Sequence, residues 1–164
     1  MDFNSQICRR LHEEHAAVFE LCRRIDQAFS RQTQMPSADD PAWSALLRKI
    51  ELAMEHEVWR HFLFEERSLW PLLDGSGDGD LARLLDEEHE VIRDVAETLT
   101  AGITQGLAGD LDPARWQTLK TAALEFSERL VSHAQKEDLS LLPVLDNLLT
   151  PEQDSEMFGA YAMS

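Results

Sequence analysis

The chain has 164 residues, 43% of them hydrophobic, and carries 15 basic against 31 acidic side chains for a net charge of −16. That length suits one domain with a core of its own, and the apolar content argues against disorder. The acidic balance argues against a nucleic-acid surface, which needs a basic footprint, and equally against an anionic membrane.

No apolar run approaches the roughly 18 residues of a membrane span. The opening Met1-Asp2-Phe3-Asn4-Ser5-Gln6 lacks the basic-then-apolar character of a signal peptide, so a cytoplasmic protein is expected. Cys8 and Cys22 read as reduced thiols on the first helix, being too few and too widely spaced for a disulfide framework.

From about Ser5 to Ser30, Ile7, Leu11, His15, Val18, Cys22, Ile25 and Phe29 recur at helical spacing, with His15 inside the apolar stripe. A polar loop follows. Asp40-Pro41 then reads as an N-cap with proline at the first helical position. The second stripe, to about Leu69, is Leu47, Ile50, Met54, Val58, His61, Glu65 and Leu69, and Pro71 is expected to kink or end it. Asp74 to Gly79 is turn chemistry. A third helix, about Asp80 to Ile103, places His89 among Leu81, Leu85, Ile92, Ala96 and Leu99. Gly106 to Asp112 is a loop, and Asp112-Pro113 repeats the start signal. The fourth stripe runs through Leu119, Ala123, Phe126, Leu130, His133, Glu137 and Leu141, and Thr150-Pro151 opens a short terminal helix. The expected fold is all-α: an antiparallel up-down-up-down four-helix bundle with a short C-terminal helix. It forms a single domain over 1–164, with the bundle at about 5–148 and the last helix at about 150–160.

One stretch occurs twice. His61-x-x-x-Glu65, closed by Pro71, returns as His133-x-x-x-Glu137, closed by Pro143. Residues four apart on a helix lie about 40° round from each other, so each pair points an imidazole and a carboxylate the same way. In antiparallel hairpins, residues equidistant from the turn share a height. The midpoints of His15 and His61, of His61 and His89, and of His89 and His133 fall at positions 38, 75 and 111, each inside a loop. Four histidines are therefore expected at one level, with Glu65 and Glu137 a turn away on their own helices.

A single histidine in an apolar stripe is more often a hydrogen-bonded core residue than a ligand. Four with two carboxylates are different, because buried carboxylates without cations are costly. The candidate metal ligands are His15, His61, Glu65, His89, His133 and Glu137. Six ligands exceed a closed zinc site and suit two metals with bridging carboxylates. With mixed nitrogen and oxygen donors and no thiolate, iron is the first expectation and manganese the second. On a six-coordinate count with a bridging oxygen species, one position on each iron stays open for a small ligand.

The sequence resembles the hemerythrin-like, or HHE cation-binding, family. The resemblance is carried by Leu11-His12-Glu13-Glu14-His15, by His61-Phe62-x-x-Glu65-Glu66 with Leu69-Trp70-Pro71, by Leu85-Asp86-Glu87-Glu88-His89, and by His133-x-x-x-Glu137 with Leu141-Leu142-Pro143. It spans His15 to Leu145 and implies a four-helix bundle around a non-haem, oxo- or hydroxo-bridged di-iron centre, with Glu65 and Glu137 as bridges. Oxygen-carrying hemerythrins have a fifth histidine one turn after the third-helix ligand, where this chain has Arg93. Their last ligand is an aspartate five residues after its histidine, where Glu137 follows His133 by four. These departures favour members that sense or process dioxygen, peroxide or nitric oxide over a reversible carrier. The alternatives are a di-iron oxidase or peroxidase-like enzyme and an iron storage or delivery protein, so enzyme activity stays open, as does a homo-oligomer.

Of the remaining polar residues, His12 reads as partly exposed or as a support behind the ligands. His56, about 140° round from His61, should face away from the centre. Glu57 reads as a boundary residue beside Val58, and Glu14 and Glu88, off their stripes, as surface groups. The four tryptophans, Trp43, Trp59, Trp70 and Trp116, read as packing or interface residues.

Overall fold

In the computed structural model, which describes residues 2–37 and 39–163 save the side chain of Glu57, Ser5 caps the first helix, α1 (Gln6–Arg31), by accepting from the Cys8 amide at 3.2 Å. The two preceding helical amides, Gln6 and Ile7, donate to Asp154 at 2.8 and 2.9 Å. A carboxylate at a helix start satisfies orphan donors and complements the helix dipole. Asp154 belongs to the last helix, α5 (Pro151–Met163), so this contact ties the two chain ends together. Asp154→Ala is expected to lower stability by about 1–2 kcal/mol, measured by urea unfolding.

Asp40 accepts from the Ala42 and Trp43 amides and starts α2, residues 41–76, with Pro41 in the first turn. This helix does not stop at Pro71. It runs on through Trp70–Ser76 and ends at Gly77, whose φ of +100° is open to glycine. Of the expected kink or end at Pro71, the end is thus corrected, and the turn expected from Asp74 begins only at Gly77. The physical reason is a widening of the helix just before the proline. Glu65–Leu69 is π-helical, and the Trp70 amide reaches back five residues to the Glu65 carbonyl. Proline lacks an amide hydrogen and clashes with the carbonyl four residues back in an α-helix, and the wider turn accommodates both defects. The same device recurs in α4, residues 113–148, where Glu137–Leu141 is π-helical and the Leu142 amide reaches Glu137 just before Pro143. A further π-helical stretch, Glu55–His61, has no counterpart in α4, which is regular from Pro113 to Lys136.

The third helix, α3 (Gly79–Leu107), extends past the expected end at Ile103 and takes Gly106 into the packed interior. A side chain there would stand 2.8 Å from Leu47 Cδ1, so the glycine permits close approach of α2. Asp112 caps α4 through the Arg115 amide. Helix α4 packs along both α1 and α3, α3 along α2, and α5 against α1. The described residues contain five helices and no strand, and no helix long and apolar enough to cross a membrane.

The helices bury two separate apolar cores. One contains Val18, Phe29, Phe62, Ile92, Phe126 and Leu130. The other contains Leu11, Leu69, Leu85, Leu141 and Tyr161. Five of the six expected polar residues fall between members of the two: His15 between Leu11 and Val18, Glu65 between Phe62 and Leu69, His89 between Leu85 and Ile92, His133 and Glu137 between Leu130 and Leu141; His61 lies between Val58 and Phe62 at the edge of the first. A polar layer thus divides the interior.

Candidate metal centre

Each long helix contributes an imidazole to this layer, and α2 and α4 each add a carboxylate one turn on. His15, His61, Glu65, His89, His133 and Glu137 are all buried, none more than 3% exposed. They meet as two overlapping groups, Glu65, His89, His133 and Glu137 in one and His15, His61 and Glu137 in the other, each with its ligand atoms within 4.8 Å of one another. Glu137 presents Oε2 to His15 Nε2 at 3.1 Å and Oε1 to His133 Nε2 at 2.9 Å. Glu65 presents Oε1 to His61 Nε2 at 3.1 Å and Oε2 to His89 Nε2 at 3.3 Å. Each carboxylate therefore spans the two histidine pairs.

Behind the imidazoles stands a ring of four more carboxylates, each hydrogen-bonded to an Nδ1. Glu14 of α1 holds His61 of α2 at 3.1 Å. Glu66 of α2 holds His89 of α3 at 2.9 Å. Glu88 of α3 holds His133 of α4 at 3.0 Å, and Asp138 of α4 returns to His15 of α1 at 2.7 Å. The ring closes, every helix supporting the next. The surface reading of Glu14 and Glu88 is thereby corrected: their side chains are only 17% and 25% exposed. The reason is that a residue beside the inward stripe points sideways into the neighbouring helix. Glu66 and Asp138 were missed, although their places next to Glu65 and Glu137 mirror those of Glu14 and Glu88 next to His15 and His89.

The ring is itself braced. Arg93 and Lys136 each lie 2.6 Å from their carboxylate, Glu66 and Glu88. Arg10 pairs with Glu14 at 2.8 Å, and the Tyr161 hydroxyl donates to the same residue. His12, half-buried, contacts Asp138 at 3.0 Å. Arg93, in the place of the fifth histidine, also lies over the Phe62 ring, which stacks on His89 at 3.7 Å. His56 is exposed, and the reading of Glu57 lies outside the described residues. Trp43 and Trp116 pack with Phe29 in the first core, Trp70 stacks on His89 and donates to Asp86, and Trp59 is exposed.

Ionised carboxylates only accept hydrogen bonds, so all four Nδ1 atoms act as donors. In a neutral imidazole the inward Nε2 is then a lone pair. Those lone pairs face carboxylate oxygens, and His89 Nε2 faces His133 Nε2 at 3.0 Å. Acceptors converging on acceptors require cations. Three of the inward atoms, His15 Nε2, Glu65 Oε2 and Glu137 Oε1, are buried without a well-formed hydrogen bond, the short contacts lying out of line. Without a metal, protons supply the positive charge. Burial opposes the charged form of His15, but Asp138 and Glu137 push its pKa up to about 9. Burial likewise opposes His133, which Glu137 and Glu88 push up to about 9. His61 is raised well above its ordinary value against burial, by Glu65 and Glu14. Burial and the Glu137 charge work against ionisation of Glu65, yet His61 and His89 lower its pKa. Burial also works against Glu137, which His133 and His15 hold well below the usual carboxylate range. The donor set fits a metal pair: neutral imidazoles with fixed tautomers, and carboxylates spanning them.

A family model described as the hemerythrin HHE cation binding domain matches residues 6–145, most of the chain and every residue of the polar layer. The chain belongs to this hemerythrin family. No curated protein is significantly similar to it. The hemerythrin-like domain thus carries a buried cluster of histidines and glutamates with the geometry to hold metal cations. The match ends before α5, so Tyr161 and Asp154 lie beyond it. Outer carboxylates fix ring orientation and raise ligand basicity. Glu88→Gln is therefore expected to weaken metal binding roughly 10–100-fold, measured by competition with a chromophoric chelator.

Proposed function

We propose that the hemerythrin-like domain is a non-haem di-iron protein that binds or senses a small ligand, namely dioxygen, peroxide or nitric oxide. The observation carrying this reading is that Glu65 turns one oxygen toward His61 and the other toward His89, while Glu137 turns one toward His15 and the other toward His133. That arrangement supports two ions sharing both carboxylates, with His15 and His61 on one and His89 and His133 on the other. Iron suits the donor set best and manganese second. Bound iron would supply a redox-active Lewis acid able to take up such a ligand. The chain's own residues would orient the imidazoles through the carboxylate ring and exclude bulk water with Val18, Phe62, Leu130 and Ala134. A cavity of about 10 Å³ among those four and His15, His61, His133 and Glu137 favours a ligand of very few atoms.

In the same reading the four long helices run up-down-up-down. Glu14 and Glu88 precede the inward residue beside them, whereas Glu66 and Asp138 follow it. Reversing a helix reverses the sense in which successive residues turn about its axis. An offset that alternates in sign while the ring proceeds one way round supports alternating helix directions.

The test is elemental analysis of protein purified without added metal, with an optical spectrum followed from anaerobic to aerobic conditions. Iron at about two per chain and a charge-transfer band that shifts with azide or nitric oxide is the expected result. Neither iron nor manganese near stoichiometry would sink the reading. Sustained peroxide turnover, lost in His61→Ala, would instead mark the oxidase or peroxidase-like alternative, and iron far above a pair per chain the storage one.

A further inference from the structure

A second cavity, of about 260 Å³, opens on the surface where α1, α2 and α5 meet. Its polar lining is Arg10 and Glu14 from α1, His56 and Arg60 from α2 and Tyr161 from α5, and its apolar wall is Phe158 and Ala162. We propose that this cavity binds a small organic anion, its carboxylate or phosphate held by Arg10 and Arg60 and its apolar portion set against Phe158.

Three observations carry the proposal. Acids outnumber bases 31 to 15 in the chain, yet two guanidinium groups and a histidine line this cavity with a single carboxylate. That carboxylate, Glu14, is already engaged by Arg10, His61 and Tyr161. The side chains of Arg60 and His56 make no hydrogen bond or ion pair among the described residues. A concave site with an excess of one charge focuses its field on ions of the other sign, and arginine matches carboxylate and phosphate oxygens in a planar fork. The third observation is the wall. Phe158, Tyr161 and Ala162 belong to α5, so the cavity is closed by a part of this chain that lies outside the family match. A bare inorganic ion would leave Phe158 unused, which argues for an organic body.

Glu14 links the cavity to His61, so binding is measured by titration calorimetry on metal-free and on metal-loaded protein alike, and saturable binding to either form supports the proposal. The probes are phenyl phosphate, benzoate, inorganic phosphate and phenol. Phenyl phosphate or benzoate should bind saturably at one site per chain, and the tighter of the two names the anionic group. Inorganic phosphate should bind more weakly, and phenol not at all. Arg60→Gln, a change at an exposed side chain, should weaken the organic anion roughly tenfold or more, and added potassium chloride should weaken it further. Phe158→Ala should weaken phenyl phosphate while sparing inorganic phosphate. The proposal is overturned if neither organic anion saturates, if phenol or inorganic phosphate binds as well, or if Arg60→Gln leaves the affinity unchanged.

Discussion

Under the two-ion proposal, Glu137→Gln is expected to reduce metal loading from a pair of ions to one or none, with a loss of affinity greater than the roughly 10–100-fold of an outer carboxylate. Glu137 is the group on which both halves of the cluster depend. Its oxygens stand 3.1 Å from His15 Nε2 and 2.9 Å from His133 Nε2, one in each of the two groups that share it. Glutamine keeps the shape but loses the charge and turns one of those oxygens into a donor. Directed at an imidazole, that donor would occupy a lone pair a metal needs. The metal-free variant should still fold. Without Glu137 His133 loses its largest upward push and His15 one of its two, Asp138 remaining, so the histidines are freer to shed protons than to remain as unpaired buried charges. The stability loss is then at most the about 3–5 kcal/mol of a broken buried pair. Metal content by mass spectrometry, beside a melting curve of the metal-free form, separates the two effects. Unchanged stoichiometry would remove Glu137 from the bridging role, and with it the two-ion reading.

The six inward residues were legible because helical periodicity shows a polar side chain in an apolar stripe as an anomaly; loop midpoints set their heights less exactly, since position 75 lies within α2 and the turn stands at Gly77. His15, His61, His89 and His133 do lie in one layer with Glu65 and Glu137. The π-helical turns were not legible. A turn closed five residues back leaves no spacing signature, and Pro71, which marks the first, reads as a kink or an end. The carboxylate ring was hidden for a geometric reason. Seen along one helix, Glu14 and Glu88 are off the stripe, and only the neighbouring helix reveals what they face. A usable signal was present: in all four helices an acid stands directly beside an inward polar residue. Tyr161 had none, since contact with Glu14 depends on how α5 folds back over α1.

Proton release gives the second large effect. His15 and His133 sit at about 9 in the metal-free fold against 6.5 ordinarily. Between those values the folded chain binds protons that the unfolded chain does not. The stability they contribute is complete below pH 6.5 and is lost as pH rises through 9. The melting temperature of the metal-free protein should therefore fall across that window. The depressed pKa of Glu137 acts at the other limb, its contribution lasting until pH falls through that lowered value. Metal requires the deprotonated imidazole, so a loaded protein has already released these protons and should show no such decline. Apparent affinity for manganese(II), chosen because it resists air oxidation, should rise by about tenfold per pH unit for each proton displaced, hence about a hundredfold for the pair. Calorimetry at pH 7.5 in buffers of different ionisation enthalpy counts the protons directly. A release near two per chain is expected, with any contribution from the raised His61 adding to it. Binding that is independent of pH between 6.5 and 9 would mean that the ions bypass these imidazoles, because no ion can take an Nε2 lone pair that still carries its proton.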